Sequence, residues 1–291
     1  MKNFKTEYRD FLKEYPFQTI DVNGVTIRYQ YGGKEGAPVV LFFHGLEMHE
    51  MWMSYALHVS ENYRFLNYEY PQHTIDAEEQ IDFARALLQK LAIDQVILLG
   101  GSDGGVYAQI FAKKYPELVQ GMCLMTTLTI DSDYLRAIKK KRLIEPLLVK
   151  MLQLMPAKKV MDTLMKKSPG FLACETPEHQ KYGRTFYETV TSDLHYKERF
   201  IHSFQCVSML KDYPFFQPED FSYLRGKIQV IIPDQDIFKK EDQQRLEVLF
   251  KDLDAEILHV PGGHLSMVVQ IDDYLKNVDR FLNHISAANE L

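Results

Sequence analysis

The sequence predicts an α/β protein, with a mostly parallel sheet, helices on both of its faces and a block of helices inserted into it. Three observations carry this expectation. Short apolar runs alternate with longer amphipathic stretches along most of the chain, as strands followed by crossover helices do. Between about Leu128 and Phe221 the alternation stops, and only helical stretches remain, punctuated by Pro146, Pro156, Pro169 and Pro177. Strand–helix alternation then resumes at Lys227. The expected organisation is a core of residues 1–127 and 222–291, with a helical cap of residues 128–221 over the carboxyl edge of the sheet.

The elements follow in order. Gln18 to Asp21 and Val25 to Tyr31, split by Asn23-Gly24, read as an opening hairpin. Pro38 to Phe43 is a continuous apolar strand ending at His44-Gly45, and Arg64 to Tyr70 is the next, stopped by Pro71. Ile81, Ala84, Leu88 and Leu91 share one face of a helix over 76–91. Val96 to Leu99 is a buried strand closed by two glycines; a helix from Gly104 to Tyr115 follows, then a strand over Met122 to Met125. Beyond the insertion come a strand at Lys227 to Ile232, a helix over 239–250, a strand at Ala255 to Val260 and a helix over 264–284.

Composition narrows the function. The chain has 291 residues, 46% hydrophobic and 25% charged, long enough to bury a core without staples. A net charge of −6 argues against a nucleic-acid partner, and the basic run Lys139-Lys140-Lys141-Arg142 reads as a solvated helix face. Cys123, Cys174 and Cys206 form neither a disulfide framework nor a zinc spacing, which favours a reducing compartment. The start, Met1 to Glu7, has no apolar run of the signal-peptide kind, and no stretch approaches eighteen apolar residues. A cytoplasmic protein without a membrane span is expected. No metal-site spacing and no GxGxxG opening a helix occur, so no metal and no cofactor are expected.

Four segments carry chemistry. Leu98-Leu99-Gly100-Gly101-Ser102-Asp103-Gly104-Gly105 matches G-x-S-x-G between a strand and a helix, the context in which a sharp turn lifts a serine oxygen off the sheet. The helix behind it directs its N-terminal dipole at the site, favouring developing negative charge. His44-Gly45-Leu46 stands where an oxyanion loop belongs, making the backbone N–H groups of Leu46 and Asp103 the natural donors. His44 then orients the loop and is no base. In Pro233-Asp234-Gln235-Asp236 a carboxylate can orient a histidine; Asp236 is preferred and Asp234 is the reserve. His259-Val260-Pro261-Gly262-Gly263-His264 supplies the base at His264, one helix and one strand beyond Asp236. His259, inside the strand, reads as structural.

With that order of Ser102, Asp236 and His264, the sequence resembles the α/β-hydrolase superfamily over essentially its whole length. The resemblance implies Ser102 as nucleophile, Asp236 as acid, His264 as base, and Leu46 and Asp103 as oxyanion donors. Many members follow the fourth strand with Asp-x-x-Gly-x-Gly, whereas this chain reads Asn67-Tyr68-Glu69-Tyr70-Pro71-Gln72-His73. A Tyr-Pro there is similar to the maspardin-type branch over residues 36–130, a branch associated with protein binding. The function implied is hydrolysis of a small or medium acyl substrate, most simply a carboxylic ester. Carbon–carbon, lactone, thioester and amide cleavage use the same parts, and a non-catalytic binding protein of the same fold is the competing reading.

Other residues are weighed more plainly. Asp103 either pairs with a substrate ammonium or benefits from the helix N-terminus. His49, Glu50, Glu69 and His73 are expected as solvated loop residues at the catalytic edge. Met151, Met155, Met161, Met165, Phe171, Phe186, Phe204 and Met209 should mostly pack the cap helices together, two or three of them facing an acyl pocket.

Overall fold

A computed structural model describes residues 3–142, 144–172 and 174–289. Its strands are β1 (Gln18–Val22), β2 (Val25–Gly33), β3 (Val39–Phe43), β4 (Arg64–Tyr68), β5 (Val96–Gly101), β6 (Val119–Met125), β7 (Ile228–Gln235) and β8 (Glu256–Gly263). The helices before the insertion are α1 (Phe4–Glu14), α2 (Met53–Val59), α3 (Ala77–Lys90) and α4 (Asp103–Lys114). The insertion holds α5 (Ser132–Arg142), α6 (Glu145–Leu154), α7 (Ala157–Phe171), α8 (Pro177–Ser192) and α9 (Tyr196–Met209). After it come α10 (Lys240–Phe250), α11 (Ser266–Val269) and α12 (Ile271–Asn289).

The strands form one sheet in the order β1-β2-β4-β3-β5-β6-β7-β8. Only the pairs β1–β2 and β2–β4 are antiparallel. Asn23 and Gly24, at φ 55° and 83°, close the first hairpin, as two left-handed positions must. β3, Val-Val-Leu-Phe-Phe, is buried throughout because both faces of the sheet are covered. Its alternation divides the core. Val39, Leu41 and Phe43 pack with Ala84 and Leu88 of α3 and Phe111 of α4, while Val40 and Phe42 pack with Phe11, Trp52 and Leu282 on the other face.

The insertion leaves the sheet after β6 and returns at β7, its parallel neighbour. Because the two strands are parallel, it leaves at the carboxyl end of β6 and re-enters at the amino end of β7, and within it α9 packs on the loop after β3. No helix among the described residues is long and apolar enough to cross a membrane.

Several boundaries differ from the sequence expectation. α1 was not expected; Asn3 caps it by accepting a bond from Thr6 N–H, and Phe4, Tyr8 and Phe11 bury its inner face. Phe4 meets Phe186 of α8 edge-on at 5.0 Å, tying the amino terminus to the insertion. The helix expected over 264–284 is two, α11 and α12, broken at Gln270. The Gly-rich run 261–263, expected as a loop, is the end of β8, held by the pairing of Gln235 with Gly263. In the basic run, Lys139 and Lys140 are exposed, and the side chains of Lys141 and Arg142 lie outside the described residues, as do Met1 and Lys2.

Candidate active site

Ser102 sits between β5 and α4 at φ 54°, ψ −132°, a strained conformation for a residue with a side chain. The surroundings hold it there. Its N–H donates to Met125 O at 3.1 Å, and its carbonyl accepts from Gly105 N–H at 3.0 Å and from the Thr127 hydroxyl. The turn needs glycine on both sides of the approach. A Cβ on Gly104 would stand 2.2 Å from Phe43 O, and one on Gly45 would stand 2.6 Å from Ser102 Cβ.

The Ser102 Oγ lies 3.0 Å from His264 Nε2, and His264 Nδ1 lies 2.7 Å from Asp236 Oδ1. In the tautomer with a proton on Nδ1, His264 donates to Asp236 and accepts from the serine hydroxyl. The Asp236 side chain is fully shielded from solvent, and Phe238 N–H also donates to its Oδ1, at 3.3 Å. Asp234, two residues earlier, is exposed. Phe238 meets the His264 ring edge-on at 5.1 Å. Glu175, buried on the insertion, accepts from Gly263 N–H at 2.9 Å and from the Gln270 side chain at 2.8 Å, steadying the backbone beside His264. A cleft of about 320 Å³, lined by Gly170, Phe171, Cys174, Gln235, Ile237 and His264, opens onto the histidine.

The loop after β3 carries two consecutive left-handed residues, Leu46 (φ 47°) and Glu47 (φ 52°). One face of α9 fixes it. The Tyr196 hydroxyl donates to Leu46 O at 3.1 Å and Arg199 to Glu47 O at 2.9 Å, while His202 bonds the Glu47 carboxylate. Arg199 pairs with Glu50 at 3.0 Å and with Asp193 at 3.1 Å. Arg199→Ala would strand the buried Glu50 carboxylate, so a loss of about 3–5 kcal/mol in unfolding free energy is expected in a denaturant titration.

The Leu46 N–H is engaged. It donates to Asp103 Oδ1 at 3.0 Å, and Ser203 of α9 donates to Asp103 Oδ2 at 3.3 Å. Burial pushes the Asp103 carboxyl up to about 6, against the opposing pull of the Leu46 N–H, its own N–H and Ser203. His44 is buried and stacks on Tyr70 at 3.9 Å, with Nε2 2.9 Å from Tyr68 O. Burial drops its pKa to about 3, so it is neutral and donates to that carbonyl. The Tyr70 hydroxyl accepts from His44 N–H at 3.0 Å. The departure at Tyr68 and Tyr70 therefore builds the seat of His44.

Two expectations are corrected. His49 and Glu50 are buried at 4% exposure each, because Arg199, remote in sequence, brings a partner for both into the interior. Glu69 pairs with Arg28 at 3.0 Å, and His73 is exposed. Of the insertion's apolar residues, Met161 and Phe186 are core, Met151 is exposed, and Phe171 lines the cleft. His259 is half exposed, 3.5 Å from Glu247. Glu47, His202 and Cys206 bring possible ligand atoms within 4.8 Å of one another. Hydrogen bonds already occupy the histidine, since its Nε2 lies 2.8 Å from Thr74 O and its Nδ1 meets Glu47.

Residues 38–160 match the family model described as the alpha/beta hydrolase fold. The enol-lactonase from Burkholderia xenovorans LB400 superposes with a TM-score of 0.71 at 16% identity, over 91% of this chain and 100% of that one. The chain has the α/β-hydrolase fold. The naproxen esterase of Bacillus subtilis gives a TM-score of 0.61 at 17% identity, over 96% and 97% of the two chains. In sequence, the chain is 30% identical over 120 residues to the proline iminopeptidase PfmaB of Pestalotiopsis fici. That match spans 37% of this chain and 43% of the relative, so less than half of the relative's length is covered.

Proposed function

We propose that the protein is a serine hydrolase of small or medium acyl substrates, most simply carboxylic esters, with residues 128–221 as its cap. The observation that carries this is the continuous line from Ser102 Oγ through His264 to the buried Asp236. Ser102 attacks the acyl carbon while His264 Nε2 takes its proton; Asp236 holds the Nδ1–H tautomer and stabilises the imidazolium. His264 then protonates the leaving group, and water, activated by the same imidazole, releases the acyl group. The N–H groups of Leu46 and Asp103 receive the oxyanion once the Asp103 carboxylate gives up Leu46. The similar proteins named as an enol-lactonase, an esterase and a proline iminopeptidase support acyl transfer.

A p-nitrophenyl ester series from acetate to decanoate tests this. Hydrolysis with a pre-steady-state burst is expected, best for the shorter chains that a cleft of about 320 Å³ accepts. No hydrolysis above buffer for any chain length would contradict it.

The Asp103 geometry gives a pH prediction. Ionised, the carboxylate holds Leu46 N–H and sets a negative charge beside the developing oxyanion; protonated below about 6, it no longer carries that charge. Asp103→Asn should therefore raise kcat for a neutral ester about tenfold at pH 8, a gain of ~1.4 kcal/mol. The mutant-to-wild-type ratio should return towards one below pH 6. A ratio below one at pH 8 would assign the carboxylate to substrate binding.

The second reading, a binding protein without turnover, draws on the same bond, since Leu46 N–H is already occupied. It requires Ser102 to be inert towards acyl and phosphonyl reagents.

A further inference from the structure

The outer face of α6 is apolar and uncovered. Ile144, Leu147, Met151 and Leu154 are 63%, 74%, 49% and 78% exposed, and their spacing of three, four and three residues puts them on one side of the helix. Val149, on the opposite side, is buried, so the helix is seated on the protein and presents its stripe outward. Other exposed large hydrophobic residues, such as Leu194, Phe215, Ile237 and Val248, are scattered along the chain, whereas these four share one face of one helix.

Positive charge is concentrated in the same segment of the chain. Residues 132–167 contain ten Lys and Arg against three Asp and Glu, a surplus of seven within a chain whose total is −6. Lys139 and Lys140 on α5, Lys150 on α6, and Lys158 and Lys159 on α7 are exposed. Nucleic acid would use the lysines and leave the four aliphatic side chains without a partner. A second copy docked face to face about a two-fold axis, the commonest homodimer arrangement, would oppose two like-charged segments. A bilayer rich in anionic headgroups uses both features at once. Aliphatic side chains enter the headgroup and acyl boundary, while lysines extend their stems to the phosphates.

We propose that the outer face of α6, with the flanking lysines of α5 and α7, docks the protein on an anionic lipid surface. The attachment is peripheral and reversible, since four side chains penetrate and no helix among the described residues is long and apolar enough to span. Because α6 packs on α9, and α9 holds the Leu46 loop, the docked face lies one helix away from the elements around Ser102. The proposal stands on surface chemistry and does not depend on turnover.

Co-sedimentation with vesicles tests it. The full chain should pellet with vesicles of phosphatidylcholine containing 30% phosphatidylserine, and far less with phosphatidylcholine alone or at high salt. Leu147→Ser with Leu154→Ser should weaken partitioning at least tenfold. Lys158→Glu with Lys159→Glu should weaken it by roughly 25-fold or more, since each lysine near the surface contributes about fivefold. Circular dichroism melting establishes that the variants are folded. Absence of binding to the anionic vesicles would overturn the proposal, as would binding that the leucine substitutions leave unchanged. A wild-type dimer in sedimentation velocity, dissociated by the leucine substitutions and indifferent to the vesicles, would assign the face to a second copy instead. Binding of an oligonucleotide without binding of vesicles would assign it to nucleic acid.

Discussion

Ser102→Ala is expected to lower kcat for an activated ester by about 10⁶-fold, to a level near the uncatalysed rate plus whatever binding alone provides. The size follows from the position of the hydroxyl. It is the atom placed 3.0 Å from His264 Nε2, on a turn whose φ of 54° is sustained by bonds from Gly105, Met125 and Thr127 to the Ser102 backbone. Those bonds do not involve the side chain, so alanine keeps the turn and removes only the hydroxyl. The melting temperature should therefore change little while turnover vanishes. Retained hydrolysis with an unchanged KM would place the chemistry elsewhere.

Asp236→Asn should cost on the order of 10⁴ in kcat, because an amide in place of the carboxylate favours the wrong imidazole tautomer. Asp236 Oδ1 accepts from His264 at 2.7 Å, and the Asp236 side chain is fully shielded from solvent. Asp234→Asn, at an exposed position, should change kcat by less than about twofold. Parallel kinetics on the two variants check the ranking, and its reversal would transfer the role to Asp234.

Much of the fold was legible because the buried strands announce themselves. Val39 to Phe43 and Val96 to Leu99 are covered on both faces, so they read as unbroken apolar runs, and their alternation with helices marks a mostly parallel sheet. α1 went unread although Phe4, Tyr8 and Phe11 recur at helical spacing behind an Asn3 cap; its partner, α8, lies far along the chain. The positions of Ser102, Asp236 and His264 were legible because each ends a strand at the same edge of the sheet. What surrounds them was not. Arg199, His202 and Ser203 act through residues about 100 to 155 positions away, and nothing local marks such partners. The only trace is a helical face at 196, 199, 202, 203 and 206 that carries polar groups where apolar ones would be ordinary. The bond from Leu46 N–H to Asp103 Oδ1 was equally hidden, since it depends on a side-chain rotamer.

Whether Ser102 is a working nucleophile is read out by intact-mass spectrometry after exposure to a fluorophosphonate. One adduct per chain is expected, located by peptide mapping to the segment containing Ser102, absent from Ser102→Ala and strongly slowed in His264→Ala. A native chain that gains no adduct, or gains it equally in Ser102→Ala, would contradict that role.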